Sequence, residues 1–147
     1  MLYVPMRTLD QWRNGHVFAP CFQHNSPASN HLAPRPLKQW FVYCDAAYEP
    51  ETKTGGIGAA LFDNKGECVA WLGFPLDETA CNVFGAQKKH TVIYELELCA
   101  AVLALDFWAD RMMGGLQVCF GDNDAARFSL IRGTCSSHVA SRLMEYH

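Results

Sequence analysis

The stretch from Val92 to about Met113 consists mostly of strong helix formers, with Ala and Leu crowding its middle, and Gly114-Gly115 follows it as a stop. Thr91, just before it, is placed to cap the helix. The longest apolar portion, Leu96 to Trp108, is interrupted by Glu97 and Asp106 and falls short of the roughly 18 to 20 residues that a membrane span requires. No membrane helix is expected, so this helix belongs to a globular core. Half of the 147 residues are apolar and 12% are aromatic, which is enough to bury one domain's core and excludes wholesale disorder.

Four short strands are legible around the helix. Trp40 to Cys44 is a β-rich run ending in Asp45. After the polar excursion Glu49 to Thr54, Gly55-Gly56 leads into a second strand, Ile57 to Phe62, whose glycines imply close packing neighbours. Asp63-Asn64-Lys65-Gly66 reads as a hairpin turn, and Cys68 to Phe74 as a third strand. Pro75 to Lys89 is loop-like. Beyond the long helix, Leu116 to Phe120 is a fourth strand, followed by a short helical stretch, Ala125 to Ile131, broken at Gly133. His138 to Tyr146 reads as a last helix. Residues 1–38 carry five prolines among Ser, Asn and His without periodicity, which predicts a linker or the end of a preceding domain. The folded domain is expected over residues 39–147.

The acids carry the chemical information. At about 100° per residue, Glu95, Asp106 and Asp110 fall on one face of the helix, which is expected to be solvated, whereas Glu97 projects on the opposite side among Ile93, Ala100, Ala101, Ala104 and Trp108. A carboxylate on an apolar face is costly to bury unless something pairs with it. Asp45 closes the first strand and Asp122 the fourth, and strand ends are where an α/β sheet presents side chains to a ligand. Three converging carboxylates repel one another, and a divalent cation with oxygen ligands relieves that repulsion. Asp45, Glu97 and Asp122 are therefore the expected magnesium ligands, with Asp124 as a substitute for Asp122.

Twelve Lys and Arg against fifteen Asp and Glu give a net charge of -3, so affinity for a polyanion must come from a local patch or from bound metal. Lys88, Lys89, Arg127 and Arg132 are the candidate phosphate contacts. Seven scattered cysteines, and an N-terminus without the apolar core of a signal peptide, predict a reduced intracellular setting, cytoplasmic or nuclear.

The segments Asp45-Ala46-Ala47-Tyr48, Gly55 to Leu61, Glu97-Leu98-Cys99-Ala100-Ala101 and Asp122-Asn123-Asp124, taken in that order, resemble type 1 ribonuclease H, in the style of the domains attached to reverse transcriptases of retroelements. The resemblance covers about Gln39 to His147. It implies an α/β fold with a mixed sheet, in which strands 1 to 3 are antiparallel, strand 4 is parallel to strand 1, and helices flank the sheet. It implies that Asp45, Glu97 and Asp122 are catalytic, that two Mg2+ (or Mn2+) ions are the cofactors, and that the RNA strand of an RNA/DNA hybrid is hydrolysed, with an upstream reverse transcriptase domain as a partner in a longer polyprotein. The family's fifth strand and fourth carboxylate have no counterpart before His147, and Ile93 and Tyr94 replace the polar residues that best-known members place before the helix Glu. Without a fifth strand, the edge of strand 4 is expected to be open and to favour self-association. The competing expectations are a non-catalytic remnant that serves as a structural or binding module, and another nuclease or an integrase of the same superfold.

Overall fold

In the computed structural model, which describes residues 16–18, 38–135 and 137–145, the strand β2 (Gln39–Glu49) buries Val42, Cys44 and Ala46 while the residues between them remain more exposed. This period of two gives the sheet one apolar face. A short β1 (His16–Phe18) precedes β2, and β3 (Thr54–Phe62), β4 (Cys68–Leu76) and β5 (Leu116–Gly121) follow it. The spatial order is β1-β5-β2-β3-β4. β2 is antiparallel to β3, β3 is antiparallel to β4, and β5 lies parallel to β2, which is the mixed, ribonuclease H-like sheet that the sequence led us to expect.

Five helices follow the meander: α1 (Glu78–Val83), α2 (Ile93–Phe107), α3 (Ala109–Met112), α4 (Asp124–Arg132) and α5 (His138–Glu145). α2 packs on the apolar face of the sheet, where Leu96, Ala100, Ala101 and Ala104 join Val42, Ile57, Ala59 and Leu61 in the main core. On its other side, Leu98 and Val102 form a second cluster with Ala126 of α4 and Ala140 of α5. A helix buried on two sides is apolar nearly all round, which explains the Leu- and Ala-rich composition of α2. At Gly55, a Cβ would stand 2.6 Å from the Ala47 carbonyl and 3.2 Å from Leu96 Cδ1, so only glycine permits this approach of helix and strand.

Several elements differ from expectation. β2 does not end at Asp45 but continues to Glu49, because β3 pairs with it up to Glu49 opposite Thr54. The segment expected as a loop after the third strand contains α1, whose start is fixed by the Asp77 carboxylate accepting from the Ala80 N–H at 2.8 Å. The long helix breaks at Trp108, which turns so that both it and Met112 are buried. Thr91 is not the cap residue itself, yet its hydroxyl accepts from the Ile93 N–H at 3.2 Å.

The edge expected to be open is partly covered. β1, drawn from the segment expected as a linker, pairs antiparallel with β5, with His16 opposite Gly121, Val17 opposite Phe120 and Phe18 opposite Cys119. Phe120 therefore has a backbone neighbour on both sides, Tyr43 being its partner on β2. Among the described residues, no helix is long and apolar enough to cross a membrane.

Candidate metal centre

The parallel pairing of β2 with β5 runs from Gln39 opposite Leu116 to Tyr43 opposite Phe120, and stops there. The Tyr43 and Phe120 rings stack across this last rung, with centroids 4.3 Å apart and planes 4° from parallel. Beyond the rung, β2 continues with β3 alone while the β5 chain turns into α4. Asp45 and Asp122 both lie just past this divergence, each two residues beyond the last rung of the β2–β5 pairing. The turn at Asp122 is held by Asn123, whose side chain caps α4 by accepting from the Ala126 N–H at 3.0 Å.

Glu97, in the second turn of α2, reaches the same place from the core side. It is only 5% exposed. Asp45, Glu97 and Asp122 each offer a carboxylate oxygen, and these oxygens lie within 4.8 Å of one another. The apolar-face argument thus placed Glu97 correctly, and the structure brings the three expected ligands together.

Burial, reinforced by the negative charges of Asp45 and then Asp122, pushes the Glu97 carboxyl up to about 9, although the Ala46 N–H favours its charged form. Without a cation, Glu97 is therefore protonated at neutral pH, and its carboxyl is hydrogen-bonded to Asp122. A divalent cation would displace that proton and offset most of the cluster's negative charge. The donor set consists of hard carboxylate oxygens, which suits Mg2+ or Mn2+ rather than a thiolate-seeking ion.

Beneath the acids lie two buried thiols, Cys44 and Cys119, with sulfurs 3.4 Å apart. Their mutual hydrogen bond, followed by burial, pushes the Cys44 thiol well above its ordinary range. That is the signature of an inert core cysteine rather than a metal-ligating thiolate.

Other expected residues fall outside the cluster. Asp124 does not substitute for Asp122; it opens α4 and pairs with Arg127 at 2.8 Å, with most of its side chain in water. Glu95 was expected on a solvated face with Asp106 and Asp110. Those two are exposed, but Glu95 is only 2% exposed, because the loop before α2 folds back and brings the Lys89 ammonium onto it. Lys89 is therefore committed to Glu95, and Lys88 is exposed. Arg127 and Arg132 both lie over the Phe128 ring, 5.2 and 5.3 Å from its centroid. Sequence reasoning missed the hydrogen-bonded pair Tyr94 and Ser129, 2.8 Å apart, because nothing short of the packing of α2 on α4 reveals it. Compared with known proteins, the chain matches no family model and no curated sequence, so what the centre does has to be argued from its geometry.

Proposed function

We propose that this chain is a metal-dependent endonuclease domain that hydrolyses the RNA strand of RNA/DNA hybrids, with Asp45, Glu97 and Asp122 holding Mg2+ or Mn2+. The observation that carries this reading is the convergence of three carboxylates within 4.8 Å where two parallel strands diverge, one of them buried and raised to about 9. Nothing in the packing of a core calls for such a cluster, whose like charges oppose burial. Bound there, two metal ions would supply an activated water and stabilise the oxygen that leaves phosphorus.

The chain's own residues supply the rest. Asp45 and Asp122 present charge at the opening between the strands, and Glu97 closes the centre from the core side, releasing its proton as a cation enters. Exposed Lys88, together with Arg132 on α4, offers positive charge to flanking phosphates on a chain of net negative charge, whereas Arg127 is committed to Asp124 as Lys89 is to Glu95. The six described cysteines are all free thiols, which supports a reducing, intracellular setting in the cytoplasm or nucleus. An upstream polymerase domain in a longer polyprotein fits the same reading.

The test is cleavage of labelled hybrid, double-stranded RNA, single-stranded RNA and double-stranded DNA, with Mg2+ and with EDTA. Products from the RNA strand of the hybrid alone, dependent on the ion and on Asp45, are the expected outcome. Cleavage that survives EDTA or Asp45→Asn would overturn the proposal, and calorimetry showing no Mg2+ binding would favour a non-catalytic module.

A further inference from the structure

A cavity of about 430 Å³ lies along the seam between α2 and α4, within the size range of ligand pockets. Its walls include Tyr94, Phe128, Ser129, Arg132, Thr134 and Cys135, and none of these belongs to the acid cluster. The two sites nevertheless share elements. Tyr94 precedes Glu97 by nearly one turn of α2, and Ala125, also on the cavity wall, follows Asp122 by three residues.

The cavity's polar groups are arranged with a direction. Ser129 Oγ donates to the Ala125 carbonyl at 2.9 Å, which leaves its lone pairs for the Tyr94 hydroxyl at 2.8 Å. Both hydroxyl protons are thus spent on the protein. The strong side-chain donors left to meet a ligand are the Arg132 guanidinium and the Thr134 hydroxyl, since the Cys135 thiol is a weak donor already set against the Tyr94 hydroxyl. Arg132 takes part in none of the ion pairs among the described residues, and no carboxylate lines the cavity. Phe128, 46% exposed, offers a ring beside these donors. A cation and a hydroxyl next to an exposed ring suit an anion that carries an apolar or sugar-like body.

We propose that this cavity holds a backbone phosphate and its sugar from the strand that is cut at the acid centre, one or two nucleotides away from the cut. This rests on the nuclease reading above and names where the substrate strand runs. Three residues of helix rise about 4.5 Å, while a strand advances about 3.4 Å per nucleotide along a duplex. Along α2, Tyr94 of the cavity wall and Glu97 of the centre are therefore offset by about the axial advance of one to two nucleotides.

The experiment uses a fluorescently labelled RNA/DNA hybrid in Ca2+, read by anisotropy between about 50 and 200 mM KCl. Arg132→Gln is expected to weaken binding several-fold and to reduce the slope of log K against log salt by about 1. Arg132→Lys keeps the charge and should restore most of the slope, and Arg142→Gln, an exposed cation on α5, should leave it unchanged. A second series places one uncharged methylphosphonate linkage at each position near the cut. The natural chain should lose affinity at a linkage one or two nucleotides from the cut, and Arg132→Gln should be indifferent to that linkage.

Arg132→Gln behaving like Arg142→Gln, or sharing the natural chain's sensitivity at that linkage, would overturn the cavity proposal. If Asp45-dependent cleavage persists in that case, the nuclease reading stands without the cavity. If no Asp45-dependent cleavage of any nucleic acid occurs, the nuclease reading fails and takes this inference with it.

Discussion

Glu95 and Glu97 stand two residues apart on one helix and are both buried, yet Glu95 meets the Lys89 ammonium while Glu97 meets two further carboxylates. The first pair is internally neutral. The second group gathers three acids at one point, and this contrast separates an acid held in a structural ion pair from one poised for a cation.

Replacing Asp45 by Asn keeps the side chain's shape and removes one charge from the centre. Cleavage of hybrid is expected to fall by more than about 100-fold, since even outer partners of metal ligands cost 10- to 100-fold. Circular dichroism melting should show the fold retained, because the substitution relieves repulsion at Glu97. Comparable cleavage by the variant would remove Asp45 from the centre.

The raised Glu97 carboxyl makes the metal-free protein sensitive to alkali. Between the ordinary value of 4.5 and about 9, the folded chain keeps a proton on Glu97 that the unfolded chain has lost. Raising the pH through this window therefore favours unfolding, by up to about 1.4 kcal/mol per pH unit. The Tm of the metal-free chain should fall as pH rises from about 5 to 9, and Glu97→Gln should flatten that fall. Mg2+ should raise Tm more at pH 8 than at pH 6. Parallel Tm profiles for the natural chain and the variant would show that Glu97 does not hold the proton.

Lys89→Met leaves Glu95 buried without its partner. The expected cost is about 3 kcal/mol, at the low end for breaking a buried pair because Lys89 itself is partly exposed. Urea unfolding measures it. The double variant Lys89→Met with Glu95→Leu should recover most of the loss, and a double variant no more stable than the single would show that the pair is not what stabilises this turn.

Gly55→Ala sets a methyl group against the Ala47 carbonyl and Leu96. A destabilisation of about 2 to 3 kcal/mol is expected, as for other overpacked sites. Because Leu96 adjoins Glu97, Mg2+ affinity measured by calorimetry should fall as well. An unchanged melting curve would mean that the helix can retreat without penalty.

The four expected strands were legible because turn chemistry separated the runs: Asp63 to Gly66 is a turn by composition, and the Asp63 carboxylate accepts from the Lys65 and Glu67 N–H groups. Their arrangement in the sheet was an expectation of the family resemblance. Glu97 was legible because helical period and side-chain size place it independently of any partner. Glu95 was not, since its burial is imposed by a loop that folds back from outside the helix, and a helical projection carries no information about loops. β1 was hidden for a related reason: three residues among prolines show no period, and what makes them a strand is the unpaired edge that β5 offers. Asp45 was placed in the right site for an incomplete reason. It lies inside a strand that continues to Glu49, and what exposes it is the departure of β5 rather than an end of β2.

The pairing of β1 with β5 ties two distant parts of the chain mechanically. His16 sits opposite Gly121, and Gly121 is bonded directly to Asp122. Tension on the chain ahead of residue 16 would pass through this pairing to the strand that carries one of the three acids, so the upstream sequence has a handle on the centre. A fragment trimmed to begin at Gln39 would keep every acid of the cluster but lose the brace beside Asp122, leaving Cys119 to Gly121 as a bare strand edge.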